Sequence, residues 1–205
     1  MKVKICGITR LDDALAACDA GADAIGFVFA PEAKARNRYI EVEEALAIAQ
    51  QMPPFVTTVA VCVNEPLEKL VRYLAYFDCL QLHGEEPPDS IPMGHLAIKA
   101  FRAGPDFFID DMLAYHTRAY LLDAFVPDQR GGTGKTCDWE TAKLAVATGK
   151  PIILSGGLTP ENVAEAVQQV RPYAVDVSGG VESAPGKKDH ERIRQFIHNA
   201  KTSLA

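Results

Sequence analysis

The chain has 205 residues and a formal net charge of −6, with 48% apolar and 23% charged residues, the composition of an ordinary soluble globular chain. The apolar share excludes intrinsic disorder, and the acidic balance excludes a chain-wide basic footprint for nucleic acid or an anionic membrane. No apolar run approaches the roughly 20 residues that span a bilayer, and the opening MKVKICGITR holds no signal-peptide core. A cytoplasmic protein without nucleic-acid or membrane partners is the expectation. Five cysteines (Cys6, Cys18, Cys62, Cys79 and Cys137) form no CxxC pair, so neither a disulfide framework nor a zinc site is expected.

In chain order, short apolar runs alternate with longer amphipathic ones. Residues 3–6 read as a strand, followed by a helix over 11–20 with Leu11, Ala14, Leu15 and Cys18 on one face. A second strand at 24–29 leads to a helix over 42–51, and a third at 57–63 to a helix over 66–77 that places Leu67, Leu70, Val71 and Leu74 together as its apolar face. The fourth strand, 79–82, is followed by a stretch with three prolines, 86–92, that supports at best a fragment of helix. Strands follow at 97–101, 119–123 and 151–154. A helix over 160–170 opens on Thr159 as N-cap with Pro160 behind it, and after a strand at 174–178 a last helix covers 188–203. The strands are continuously apolar rather than alternating, as suits a parallel sheet covered on both faces.

Eight strands and about seven helices in alternation, with no linker, predict an α/β chain folded as one single-domain (β/α)8 TIM barrel over residues 1–205. The alternative is an open doubly wound sheet. The barrel is preferred because no strand reads as a polar edge. In either architecture chemistry gathers at the carboxyl ends of the strands. The polar residues falling there are Cys6, Gln81, His83, Lys99, Arg102, Asp123, Ser155 and Asp176. Two glycine pairs, Gly156-Gly157 and Gly179-Gly180, end consecutive strands, and their backbone amides suit a phosphate group.

The segment GGTGKT at 131–136 invites a P-loop reading, but Gln129 stands where GxxxxGK[ST] needs glycine. A mobile loop over the active face is expected instead. Cys6 ends the first strand and is followed by Gly7; a thiol there is expected to be tuned toward thiolate by backbone amides and a nearby cation such as Lys4. Asp123, directly after three apolar residues, is either a protonated general acid or the partner of a cation.

At these residues the chain resembles the phosphoribosylanthranilate isomerase family of tryptophan biosynthesis. The segments that carry the resemblance are KICGIT (4–9), GADAIGFVF (21–29), QLHG (81–84), GGTGKT-x-DW (131–139), LSGGL (154–158) and DVSGGVE (176–182), continuing to PGKKD (185–189). The resemblance implies a (β/α)8 barrel that carries out an Amadori rearrangement on a small-molecule phosphosugar, without cofactor or metal, as a monomer or homodimer. It implies that Cys6 is the general base and Asp123 the general acid. It further assigns the anthranilate carboxylate to Arg38, the phosphate to Gly156, Gly157, Gly179 and Gly180, and the pocket lining to His83 and Asp176. Three positions depart from the family pattern. The stretch 30–38 is longer, which makes Arg36 the alternative to Arg38; Cys137 stands in place of a phenylalanine; and Gly179 replaces a serine. Two rivals on the same fold, a metal-dependent epimerase and an indole-forming synthase, want His/Asp pairs or several Lys and Glu at strand ends, and only His83 and Lys99 answer. A non-catalytic phosphate-binding barrel has no use for both Cys6 and Asp123.

Overall fold

Eight short strands run parallel and close into a ring: β1 (Lys2–Cys6), β2 (Ala24–Val28), β3 (Thr57–Cys62), β4 (Cys79–Leu82), β5 (Ala97–Ala103), β6 (Ala119–Ala124), β7 (Ile152–Leu154) and β8 (Ala174–Val177). Each pairs with the next in chain order, and β8 returns to β1 through the register Val3↔Val175. The closed ring excludes the open sheet. The computed structural model describes residues 1–91, 96–124 and 137–204.

The apolar runs are continuous because the strand pleat sends alternate residues to two different cores. Inside the barrel lie Val59, Val61, Cys79, Ile98, Ala100, Ala119, Leu121, Ile153 and Ala174. On the outside, Ile5, Phe27, Leu80, Leu122 and Leu154 meet the surrounding helices. Every expected strand is present, with ends that differ by one or two residues. The largest shift is in β5, which continues to Ala103 because β6 offers a partner as far as Ala124.

The helices among the described residues are α1 (Leu11–Asp19), α2 (Val42–Ala49), α3 (Leu67–Leu74), α4 (Ile109–Leu113), α5 (Trp139–Ala147), α6 (Val163–Val170) and α7 (His190–Thr202). Between β4 and β5 a 3-10 turn forms at Pro88–Ser90 among the described residues, in keeping with the prolines there. Three helical expectations are corrected. On α3, Leu67 and Val71 are exposed, and the buried positions are Leu70 and Tyr73, continued by Phe77. Tyr73 and Phe77 win the inner face because their rings reach Phe29, at centroid distances of 4.9 and 5.4 Å. On α1 the buried side is Asp13, Ala14 and Ala17, and Leu15 faces solvent.

The third correction concerns the last helix. It starts at His190, because Glu182–Ala184 (β9) and Lys187–Lys188 (β10) form an antiparallel hairpin between β8 and α7. Asp189 then caps α7, its carboxylate accepting the N–H groups of Glu191 (2.9 Å) and Arg192 (3.1 Å). Thr159 does accept the Glu161 N–H at 3.3 Å, but the regular turns of α6 begin only at Val163. Among the described residues no helix is long and apolar enough to cross a membrane.

Phe27 is fully buried between the barrel and α3, its ring 5.8 Å from that of Phe77. Phe27→Ala is expected to lower stability by about 3–5 kcal/mol in urea unfolding. Leu144→Ala, on the solvent side of α5, should change it by no more than about 0.5 kcal/mol.

Candidate active site

Strand parity assembles the site. A residue two positions beyond an inward-facing side chain also faces inward, now at the carboxyl mouth of the barrel. Cys6 follows Lys4 on β1, Asp123 follows Leu121 on β6, Ser155 follows Ile153 beyond β7, and Asp176 follows Ala174 on β8. The same spacing carries Cys79 to Gln81 and His83. All but Lys4 among the polar members of this set line one cavity of about 1000 Å³, together with Arg36, Arg38, Gly156, Gly157, Gly179 and Gly180.

Beneath Cys6 the barrel holds a charged pair. The Lys4 ammonium donates to Asp176 Oδ1 at 2.7 Å, and Asp176 Oδ2 accepts the Ser155 hydroxyl at 3.1 Å. Room for this comes from Gly26 on the neighbouring strand, where a Cβ would stand 2.8 Å from Cys6 Sγ and 3.1 Å from Lys4 Nζ. Burial works against the Lys4 charge, but the Asp176 carboxylate and Cys6 outweigh it, so the ammonium holds its proton above lysine's ordinary range. For Cys6 the expected direction is reversed. Burial pushes the thiol up, and the Lys4 and Lys188 ammonium groups offset that only in part, against the opposing charge of Asp176. Burial likewise pushes the Cys137 thiol up, to about 12.

Across the mouth, Asp123 is buried, and its Oδ1 accepts the N–H of Ala124 at 2.9 Å. Its Oδ2 lies 3.5 Å from His83 Nε2, long for a hydrogen bond. Among the described residues, His83 Nε2 and Gln81 Oε1 are buried with no hydrogen-bond partner. Both residues line the cavity, so these atoms are placed to meet polar groups of a bound molecule.

On the other side Arg38 pairs side-on with Glu182, Nε to Oε1 and Nη2 to Oε2, both at 2.8 Å. The Lys188 ammonium donates to the same Glu182 Oε1 at 2.9 Å and to the Ser178 carbonyl at 3.1 Å. Burial pushes the Glu182 carboxyl up, but Arg38 and Lys188 together hold it below its ordinary value. Arg36 lines the cavity as well, from the turn before Arg38. The backbone at Gly156 and Gly157 turns with φ of 83° and 63°, a left-handed conformation open to glycine at little cost.

Every residue expected in the site is thus brought to one cavity. Two expected at the strand ends are not. Lys99 points outward, where it donates to the Gly84 carbonyl (2.6 Å) and pairs with Glu86 (3.0 Å). Arg102 stands 3.7 Å from Glu85, in a separate cleft. The segment 131–136 lies outside the described residues. Sequence reasoning missed Glu182, Lys188 and Arg192, which reach the cavity or its wall from the hairpin and α7. Arg192 donates to the Gly180 carbonyl at 3.0 Å. The only available pointer was their place in and after the SGGVE…PGKKD segment.

The model of the family described as N-(5'-phosphoribosyl)anthranilate (PRA) isomerase matches residues 3–199. The N-(5'-phosphoribosyl)anthranilate isomerase of Trichlorobacter lovleyi is 50% identical over 207 residues, covering 100% of both chains. The crystal structure of phosphoribosyl anthranilate isomerase from Thermus thermophilus superposes with a TM-score of 0.87 at 40% identity, covering 100% of each chain. A further phosphoribosyl anthranilate isomerase, crystallised with reduced 1-(o-carboxyphenylamino)-1-deoxyribulose 5-phosphate, is 43% identical with a TM-score of 0.82 over 98% of each chain.

Removing the charge at Lys4 is expected to push the Cys6 thiol further up. In Lys4→Met the pH midpoint for alkylation of Cys6, followed site by site with mass spectrometry, should lie about 1–3 pH units above the wild type, with Lys4→Arg close to wild type. An unmoved midpoint in Lys4→Met would remove the ammonium from any part in setting the thiol.

Proposed function

This chain belongs to the N-(5'-phosphoribosyl)anthranilate isomerase family and is an isomerase of tryptophan biosynthesis; from that premise we propose that Cys6 is its general base and Asp123 its general acid. The reaction is the Amadori rearrangement of N-(5-phosphoribosyl)anthranilate to 1-(2-carboxyphenylamino)-1-deoxyribulose 5-phosphate. The observation that carries the assignment is the placement of a buried thiol and a buried carboxyl at the ends of β1 and β6, on one cavity, with the glycine-bearing ends of β7 and β8 between them round the ring.

A phosphate on the backbone of Gly156-Gly157 and Gly179-Gly180 leaves the far end of the sugar between the two groups. Asp123 gives its proton to the ribose ring oxygen while the anilino nitrogen's lone pair forms the C1=N bond and the C1–O bond breaks. Cys6, as thiolate, removes the hydrogen from C2, and the electron pair moves through C1 to neutralise the iminium nitrogen. The resulting enol-amine loses its C2 hydroxyl proton and gains one at C1, giving the ketone. The iminium is itself the electron sink, so the step as written calls on no cofactor. Arg38 receives the anthranilate carboxylate, a task its planar fork of donors suits. His83 and Asp176 line the pocket, Asp176 also holding Lys4 in place.

Cys6→Ala and Asp123→Asn should each lower turnover by about 10²–10⁴-fold, read from the loss of anthranilate-conjugate fluorescence, while each variant still binds reduced product. Either variant keeping more than about a tenth of the rate would strip that residue of its role. The pH dependence follows from the direction of the Cys6 shift. A base that must lose its proton becomes active as pH rises, and burial holds this thiol high. Because Asp123 must keep its proton while Cys6 loses one, the kcat/KM of the free enzyme should follow a bell in pH whose two limbs belong to the pair rather than to either residue alone. Cys6→Ser should displace or erase the limb that reports the thiol.

A further inference from the structure

Arg38 does not meet the cavity as a free guanidinium. Its Nε–H and one Nη2–H are taken side-on by Glu182 at 2.8 Å each, and both side chains are nearly buried. A guanidinium has five N–H donors in one plane, so this pairing leaves the outer Nη1–Nη2 edge as a second parallel fork. Gly179 leaves room for it, because a Cβ there would stand 2.7 Å from Nη2. The guanidinium rests against the loop after β8, with Arg38 itself among the residues lining the cavity.

Charge balance matters as much as aim. An Arg38–Glu182 pair alone is neutral and has little reason to prefer an anion. Lys188, its side chain wholly buried, puts a second cation on the same carboxylate at 2.9 Å. Burial pushes the Lys188 ammonium down and the Glu182 carboxylate works against that; with Lys188 protonated on this carboxylate the trio carries one net positive charge, and Arg38 and Glu182 are its members that line the cavity.

We propose that Glu182 is a positioning residue that makes this enzyme require a carboxylate on the aromatic ring: it locks Arg38 side-on so that the outer fork faces the substrate, and Lys188 offsets its charge so that the arginine keeps its own. This rests on the assignment of the anthranilate carboxylate to Arg38. Glu182 acts through Arg38 and need not touch the substrate.

The test compares two ligands by calorimetry: reduced 1-(o-carboxyphenylamino)-1-deoxyribulose 5-phosphate and its counterpart lacking the ring carboxylate. Wild type should prefer the carboxylated ligand by about tenfold or more, and Arg38→Ala should lose that preference. Glu182→Gln should lose most of it, with far less effect on the ligand lacking the carboxylate, and Glu182→Asp, which keeps the charge with a shorter reach, should retain part. In the Arg38→Ala background Glu182→Gln should cause no further loss. Lys188→Met, which leaves the arginine's charge neutralised, should weaken only the carboxylated ligand, and it serves where Glu182→Gln does not fold. Wild-type preference in Glu182→Gln or Glu182→Asp beside a loss in Arg38→Ala would overturn the role of Glu182 alone. So would a preference that rises in Glu182→Gln, since Glu182 would then be a competitor for the arginine. Unaltered binding of the carboxylated ligand by Lys188→Met would overturn the charge argument. Wild-type preference in Arg38→Ala would overturn the underlying assignment, and the proposal with it.

Discussion

A strand pleat closed into a ring is the constraint on which the molecule depends. Once β8 pairs with β1, no strand can shift by one residue without exchanging its inner and outer faces all along its length. That parity sends Lys4, Cys6, Asp123 and Asp176 into the barrel, and sends Lys99, one residue from the inward-facing Ile98 and Ala100, out to Glu86 and the aromatic rings of Phe101 and Tyr115. The same alternation that builds two apolar cores thus selects which polar side chains share a cavity.

The charges that closure buries would be costly singly, and here they are grouped. Lys4 stands with Asp176, and Asp176 with Ser155; Lys188 and Arg38 share Glu182. Buried pairs of this kind add little net stability, because desolvation consumes most of the Coulomb gain, but losing one partner strands a charge in a low-dielectric interior. Their value lies in orientation. Each side chain has its partner before any substrate arrives, so little reorganisation is left for the moment of reaction. An acidic chain with net charge −6 presents local cations at its cavity by this means, where a ligand carrying a phosphate and a carboxylate would need them.

Small residues supply the remaining geometry. Gly26 leaves the space in which the Cys6 sulfur and the Lys4 ammonium meet, and Gly179 leaves space that the Arg38 guanidinium occupies. The lack of a side chain at position 179 is therefore coupled to the placement of an arginine far away in the chain.

The eight strands were legible because burial on both faces writes each of them as an unbroken apolar run, and the site residues were legible because a polar side chain ending such a run is conspicuous. The inner faces of α1 and α3 were not. An apolar stripe at helical spacing marks a helix without saying which edge of the stripe is covered, and on α3 the rings of Tyr73 and Phe77, packing on Phe29, decided against Leu67 and Val71. The direction of the Cys6 shift was also out of reach, since it turns on how deeply closure buries the thiol against how near it brings Lys4. By itself, then, the sequence determined the eight strands, their alternation with helices and the polar residues at their carboxyl ends, all of which follow from local pattern, while closure into a ring rather than an open sheet was decided by the pairing of β8 with β1. Only the tertiary structure decided their partners. Lys4 and Asp176 are 172 residues apart and Arg38 and Glu182 are 144, and pairings over such separations exist only once the ring has closed and the hairpin of β9 and β10 has folded back over the loop after β2.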